Sequence, residues 1–130
     1  MKLGYTIVYV SDVAASLAFF EGAFGLPTRF LHESGTYGEV ETGATTLSFA
    51  QHATAREGLG HDYVAADASA QPLGMEIGLI TADVAAACTR AVQAGASLLA
   101  APADKPWGQT VAYVRCPDGT LVELCTAIGG

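Results

Sequence analysis

The chain repeats itself. Residues 6–13 read TIVYVSDV and residues 77–84 read IGLITADV, so that Asp12-Val13-Ala14-Ala15 returns 71 residues later as Asp83-Val84-Ala85-Ala86. Each copy runs on to a glycine, Gly25 in the first and Gly95 in the second. Farther along, TGATTLSFA at 42–50 matches PDGTLVELC at 117–125, each a glycine turn followed by a strand. Such a repeat restricts the fold to two copies of one supersecondary unit that bury their apolar sides against each other. A chain of 130 residues is long enough for one good core.

Local chemistry defines the unit. Asp12 and Asp83 can accept the free N–H groups of a first helical turn. Val13, Leu17, Phe20 and Phe24 recur at helical steps, as do Val84, Ala87, Cys88, Ala91 and Val92. Gly25 and Gly95 stand where a helix ends in a left-handed residue. Gly22 inside the first helix is unfavourable by propensity, which predicts close packing there. Asp118-Gly119 between two apolar runs predicts a hairpin. Strands are expected near 3–10, 28–33, 37–41 and 45–51, then 74–81, 97–101, 109–116 and 120–126. The reading is a single α+β domain of two βαβββ modules, about 1–51 and 74–126. They are joined by linker 52–73, expected as a surface loop.

Composition removes several function classes. With 51% hydrophobic and 15% charged residues the chain is not disordered. Its apolar runs are too short and too interrupted for a membrane span, and its start has no signal-peptide pattern. The net charge of −7 leaves no basic footprint for nucleic acid and suits a neutral or cationic small molecule. Three cysteines without a CxxC pair argue against a disulfide framework and for a reducing cytoplasm.

Side chains alternate along a strand, so Leu3, Tyr5, Ile7 and Tyr9 share one face. The repeat makes Tyr5 equivalent to Glu76, and Ser48 equivalent to Glu123. Two carboxylates within the apolar runs MEIGLI and LVELC are expensive to bury, which marks them as functional candidates expected to perturb each other's ionisation. His52, in step with Ser48 and Ala50, could reach the rim of the same cavity. Trp107, the single tryptophan, either stacks on a ligand at the cavity mouth or plugs the core under its loop. Cys88, Cys116 and Cys125 read as packing residues.

The runs YTIVYVSDVAASLAFFEGAFGLP and PWGQTVAYVRCPDGTLVEL, with the repeat itself, resemble the vicinal oxygen chelate superfamily of glyoxalases, extradiol dioxygenases and fosfomycin- and bleomycin-resistance proteins. The resemblance implies a cupped mixed sheet built from the two modules. It also implies that a metal enzyme of the glyoxalase type would carry His, Glu, His and Glu at Tyr5, Ser48, Glu76 and Glu123; only Glu123 keeps its type. The pattern is therefore similar to bleomycin-resistance members that have lost the metal ligands. That implies metal-independent binding of a small organic molecule, antibiotic sequestration and a homodimer, with no cofactor. The ligand would be neutral or cationic and aromatic, held by Tyr5, Tyr9, Ser48, His52, Glu76, Trp107 and Glu123. The alternative implied is a lyase or isomerase in which Glu123 and Glu76 are catalytic bases beside a weak divalent-metal site.

Overall fold

The computed structural model describes residues 1–129. In the first module a strand, β1 (Tyr5–Val10), leads through Asp12 into a helix, α1 (Val13–Phe24), and three further strands follow: β2 (Thr28–Leu31), β3 (Tyr37–Val40) and β4 (Thr46–Gln51). The linker holds a short helix, α2 (His52–Leu59), and a 3₁₀ turn at Ala66–Ala68. The second module repeats the first with β5 (Glu76–Ile80), α3 (Val84–Ala94), β6 (Ser97–Asp104), β7 (Thr110–Arg115) and β8 (Leu121–Cys125). Each module is one four-stranded mixed sheet, in the orders β1-β4-β3-β2 and β5-β8-β7-β6. The first pair of each is parallel and the others antiparallel.

The repeated residues do the same work twice. Asp12 accepts from Ala15 N and Asp83 from Ala86 N, both at 3.0 Å. Gly25 closes α1 at φ 70°, a left-handed conformation that costs a residue with a Cβ roughly 1–2 kcal/mol. Registers coincide too. Ser48 pairs with Ile7 as Glu123 pairs with Gly78, and Tyr5 pairs with Thr46 as Glu76 pairs with Leu121.

One continuous core joins the modules: Val10, Val13, Leu17, Phe20 and Phe49 from the first with Val84, Cys88, Ala91, Val114 and Val122 from the second. Helix α1 lies against α3, and Arg90 Nε donates to the Gly22 carbonyl at 2.9 Å. Phe49 is fully buried on the helix-covered face, as its strand phase predicts. The other face of each sheet stays open, with Tyr5, Ile7, Glu76 and Ile80 exposed.

Several details differ from expectation. Strand β1 begins at Tyr5, leaving Leu3 outside it, and β6 extends to Asp104 because its pairing with β7 continues past two irregularities. Val92 turns to solvent, and Phe24 is only partly buried. Gly22 is not closely packed: a Cβ there would meet nothing within 4 Å. The close approach is at Gly38, where a Cβ would come 2.6 Å from Leu17 Cδ1. The linker is more than a loop. Its 3₁₀ turn is tied to the second module by Arg115 Nη2, which donates to the carbonyls of Ala66 and Ser69 at 2.8 Å each. It is tied to the first by Ser11, whose hydroxyl donates to Asp67 at 2.5 Å.

Candidate functional site

Each open face carries a carboxylate with a tyrosine donating to it. On the first sheet Tyr37 and Glu39 lie two residues apart on β3, and the phenol donates to Glu39 at 2.8 Å. Arg29 of β2 reaches the same carboxylate, Nε to Oε1 at 3.3 Å, and donates to the Thr46 hydroxyl at 2.5 Å. Ser48 pairs with Glu39 in register; it is 0% exposed and its hydroxyl has no hydrogen-bond partner among the described residues. Burial raises the Tyr37 phenol above its ordinary value, with Ser48 pulling the other way and the Glu39 carboxylate adding to the rise.

On the second sheet no guanidinium reaches the carboxylate, because Arg115 of β7 donates to the linker carbonyls of Ala66 and Ser69. Tyr113 of β7 donates to Glu123 of β8 at 2.8 Å, across a direct register pair. That carboxylate and burial push the phenol up to about 12. Glu76 is raised first by burial and then by the negative charge of Glu123. Neither Glu76 nor Glu123 has an ion-pair partner among the described residues.

Between the modules, where β1 and β5 leave their edges unpaired by each other, lies a half-open cavity of about 170 Å³. Its walls are mainly apolar, from Ile7, Leu73, Met75 and Leu121, and Tyr9, Tyr63 and Glu76 also line it. Thr120 adds a wall residue whose buried hydroxyl is unpartnered among the described residues. Tyr63 comes from the linker and packs on Tyr9, ring centroids 4.9 Å apart. Its hydroxyl meets His52 Nδ1, and His52 Nε2 lies 3.0 Å from Asp67 Oδ2. Burial opposes ionisation of Asp67, but the Ser11 hydroxyl and the His52 ring outweigh it and hold this carboxyl below its usual range. The Arg56 guanidinium stands 4.8 Å over the Tyr63 ring and ion-pairs with Asp62 at 3.0 Å. Burial raises the Tyr63 phenol against the pull of Arg56.

The seven residues singled out from sequence therefore fall in separate places. Tyr9 and Glu76 line the seam cavity, and His52 stands behind it through Tyr63. Glu123 adjoins Glu76, while Tyr5 and Ser48 adjoin Tyr37 on the first sheet. Trp107 is 63% exposed in the β6–β7 loop, its Nε1 donating to Gln109 at 2.8 Å, so it is not a core plug. All three cysteines are free and buried, and burial pushes each thiol up, which suits packing and not nucleophilic chemistry.

A glyoxalase-type metal does not fit the four symmetry-related positions. Ser48 is sealed from solvent, Tyr5 is a poor donor to a divalent ion, and the remaining two carboxylates are fewer than such a site needs. No cluster of three or more His, Cys, Asp or Glu side chains able to hold a metal ion occurs among the described residues. The alternation of YGEV puts Tyr37 and Glu39 on one face and could have flagged them, but neither was among the residues singled out, and their meeting with Arg29 depends on how β2 and β3 pair. Tyr63 and Asp67 lie in a segment without periodicity and could not be found from pattern.

No helix among the described residues is long and apolar enough to cross a membrane. Among curated proteins no sequence relative matches the chain. Similar solved structures include a glyoxalase-related enzyme from Fulvimarina pelagi (TM-score 0.83, 22% identity, covering 98% of this chain and 88% of that one). A glyoxalase/bleomycin resistance protein/dioxygenase family enzyme from Burkholderia phytofirmans PsJN gives 0.76 at 20% identity, covering 98% and 100%. TioX from Micromonospora sp. ML1 gives 0.68 at 19% identity, covering 97% and 98%. These likenesses concern the fold. The family model matches residues 2–124, and with it the repeat, the paired sheets and the unpaired seam have one common origin: the chain belongs to the glyoxalase/bleomycin resistance protein/dioxygenase superfamily.

Proposed function

We propose that the chain is a small-molecule binding protein that holds a neutral or cationic aromatic ligand without a metal, in the seam cavity and against the open faces beside it. The observation that carries this reading is the pair Glu76 and Glu123, like charges near each other on an open face with no ion-pair partner among the described residues. A ligand cation would relieve that repulsion, and its aromatic body would fill the apolar walls. Tyr9, Tyr5 and Tyr113 supply ring faces, each worth roughly 0.5–2 kcal/mol to a cation placed over it. The enclosed part of the site has the size of an engineered cavity of about 150 Å³ that takes up benzene, so the cavity admits one ring and leaves the rest of a larger ligand on the open faces.

The open faces also support a homodimer. Tyr5 is 60% and Ile80 71% exposed, apolar surface that a second copy would cover. Antibiotic sequestration in the cytoplasm is the role this reading assigns.

A calorimetric panel of cationic aromatic, neutral aromatic and glutathione-type compounds at low salt, without added metal, tests the ligand class. Binding by the first two classes is expected, with Glu123→Gln weakening the cationic compounds selectively. Tight binding confined to glutathione-type compounds would overturn the reading in favour of a lyase or isomerase. Light scattering that gives a mass near 13 kDa at micromolar concentration would remove the dimer.

A further inference from the structure

The linker brings a chain of hydrogen-bonding groups to the wall of the seam cavity: Ser11, Asp67, His52 and Tyr63, in that order. Its polarity follows from what each group can do. An ionised carboxylate only accepts. Asp67, taking the Ser11 hydroxyl at 2.5 Å, also takes the hydrogen of His52 Nε2 at 3.0 Å. In a neutral imidazole the other nitrogen is then bare, so Nδ1 accepts the Tyr63 O–H. The phenol has spent its one hydrogen and keeps its remaining lone-pair capacity, for which no partner exists among the described residues. Tyr63 lines the cavity.

When the imidazole takes up a second proton, both ring nitrogens donate. Nε2–H stays on Asp67, and Nδ1–H now points at the Tyr63 oxygen. The phenol hydrogen is released and becomes a donor. One proton on His52 thus reverses the hydrogen-bonding sense of Tyr63 with no movement of the backbone.

We propose that Tyr63, set by the Asp67–His52 pair, is the specificity-determining group of the seam cavity. It selects ring compounds that carry a hydrogen-bond donor when His52 is neutral, and compounds that carry only an acceptor when His52 is protonated. This rests on the seam cavity being a ligand site. The charged and titratable groups around the relay are Tyr9 on β1, Arg56 on α2, and Asp62, Tyr63 and Asp67 in the linker. Arg56 is occupied by Asp62 and by the Tyr63 ring, so it does not replace the relay as a donor. Glu76 also lines the cavity and titrates, and Thr120 presents a hydroxyl whose sense does not change with pH. Both must be separated from Tyr63 in the test.

The experiment uses the intact protein, phenol as the donor probe and acetophenone as the acceptor-only probe, with affinities measured by ligand-observed NMR. Affinities are taken at pH 8 and pH 5, with the protonation state of His52 read by nitrogen NMR at each. At pH 8 phenol should bind about fivefold to tenfold more tightly than acetophenone, the discrimination of one hydrogen bond. Where the spectrum shows His52 doubly protonated, the order should invert. Tyr63→Phe should bring the two probes within about twofold of each other at both pH values, and Glu76→Gln should preserve the inversion. Nitrogen NMR of His52 in the parent protein, which needs no variant, should show Nε2 protonated and Nδ1 bare at pH 8. An order unchanged by protonation of His52, an inversion that survives in Tyr63→Phe, or the opposite tautomer would each overturn the relay while leaving the cavity as a ligand site. Failure of both probes to bind at either pH would remove the cavity reading and the relay with it.

Discussion

In the first module Glu39 is paired with Arg29 at 3.3 Å and accepts Tyr37 at 2.8 Å; in the second, Glu123 accepts Tyr113 at the same 2.8 Å, but the charge that acts beside it is a second carboxylate, Glu76. The strand registers of the two modules coincide, but the carboxylates stand on different strands: Glu39 on β3 opposite Ser48, Glu123 on β8 opposite Tyr113. The helix-covered face must match a fixed core volume, so Leu47 and Phe49 on one side correspond to Val122 and Leu124 on the other. The open face has no such constraint, and its chemistry has diverged: Arg29 ion-pairs with Glu39 and Glu41 on one sheet, while Arg115 on the other donates to linker carbonyls and leaves Glu76 and Glu123 without an ion pair among the described residues.

The comparison breaks most sharply at the turns before the last strands. Gly43 and Gly119 both have positive φ, 86° and 90°, but a Cβ at Gly43 meets nothing while one at Gly119 would lie 2.2 Å from the Ala66 carbonyl oxygen. Gly43→Ala should cost about 1 kcal/mol from backbone strain alone. Gly119→Ala should cost about 3 kcal/mol or more, because the linker must also move away. Denaturant midpoints of the two variants measure the difference, and equal losses would mean that the linker is not held against the second module.

Next come the carboxylates. Glu39→Gln should destabilise by about 1 kcal/mol through loss of the Arg29 pair. Glu123→Gln should stabilise by a few tenths of a kcal/mol at neutral pH, since it relieves Glu76. The same sign in both variants would erase the contrast between the sheets. The pH dependence gives an independent measure. Tyr113 has a folded value of about 12 against 10.0 unfolded, so the fold holds its proton longer. Its contribution is fully present below pH 10 and is lost as pH rises from about 10 to about 12. Glu76 is likewise raised, so its contribution is lost as pH rises above its ordinary 4.5. Ultraviolet titration should show Tyr113 as the last of the raised phenols to ionise, after Tyr37 and Tyr63, and Glu123→Gln should bring that last transition down.

Ser48 is the last point of comparison. Its hydroxyl is buried without a partner, so Ser48→Ala should leave stability unchanged or raise it by up to about 1 kcal/mol, read as a shift in Tm. A loss of 1 kcal/mol or more would show that the hydroxyl is bonded, through a water or to Tyr37.

What could be read in the residues alone followed from periodic constraints. The Asp caps, the glycine stops, the helix stripes and the strand alternation each repeat at a spacing that backbone geometry imposes, and they specified two βαβββ modules and the equivalence of Tyr5 with Glu76 and of Ser48 with Glu123. Gly22 was misread because propensity reports only that a glycine is unfavourable in a helix; whether anything packs on it depends on residues distant in sequence, and the close approach lies instead at Gly38, against Leu17. Tyr63, Asp67 and Arg29 were invisible for the same reason. Arg29 meets Glu39 only because β2 and β3 pair, and Tyr63 meets His52 and Tyr9 only because the linker is tied down by Arg115 and Ser11. Periodicity specifies which way a side chain faces within its own element, and so the modules were determined by the sequence. The partner it meets across a seam depends on how whole elements pack, and only the tertiary structure decided the relay, the paired carboxylate and the cavity.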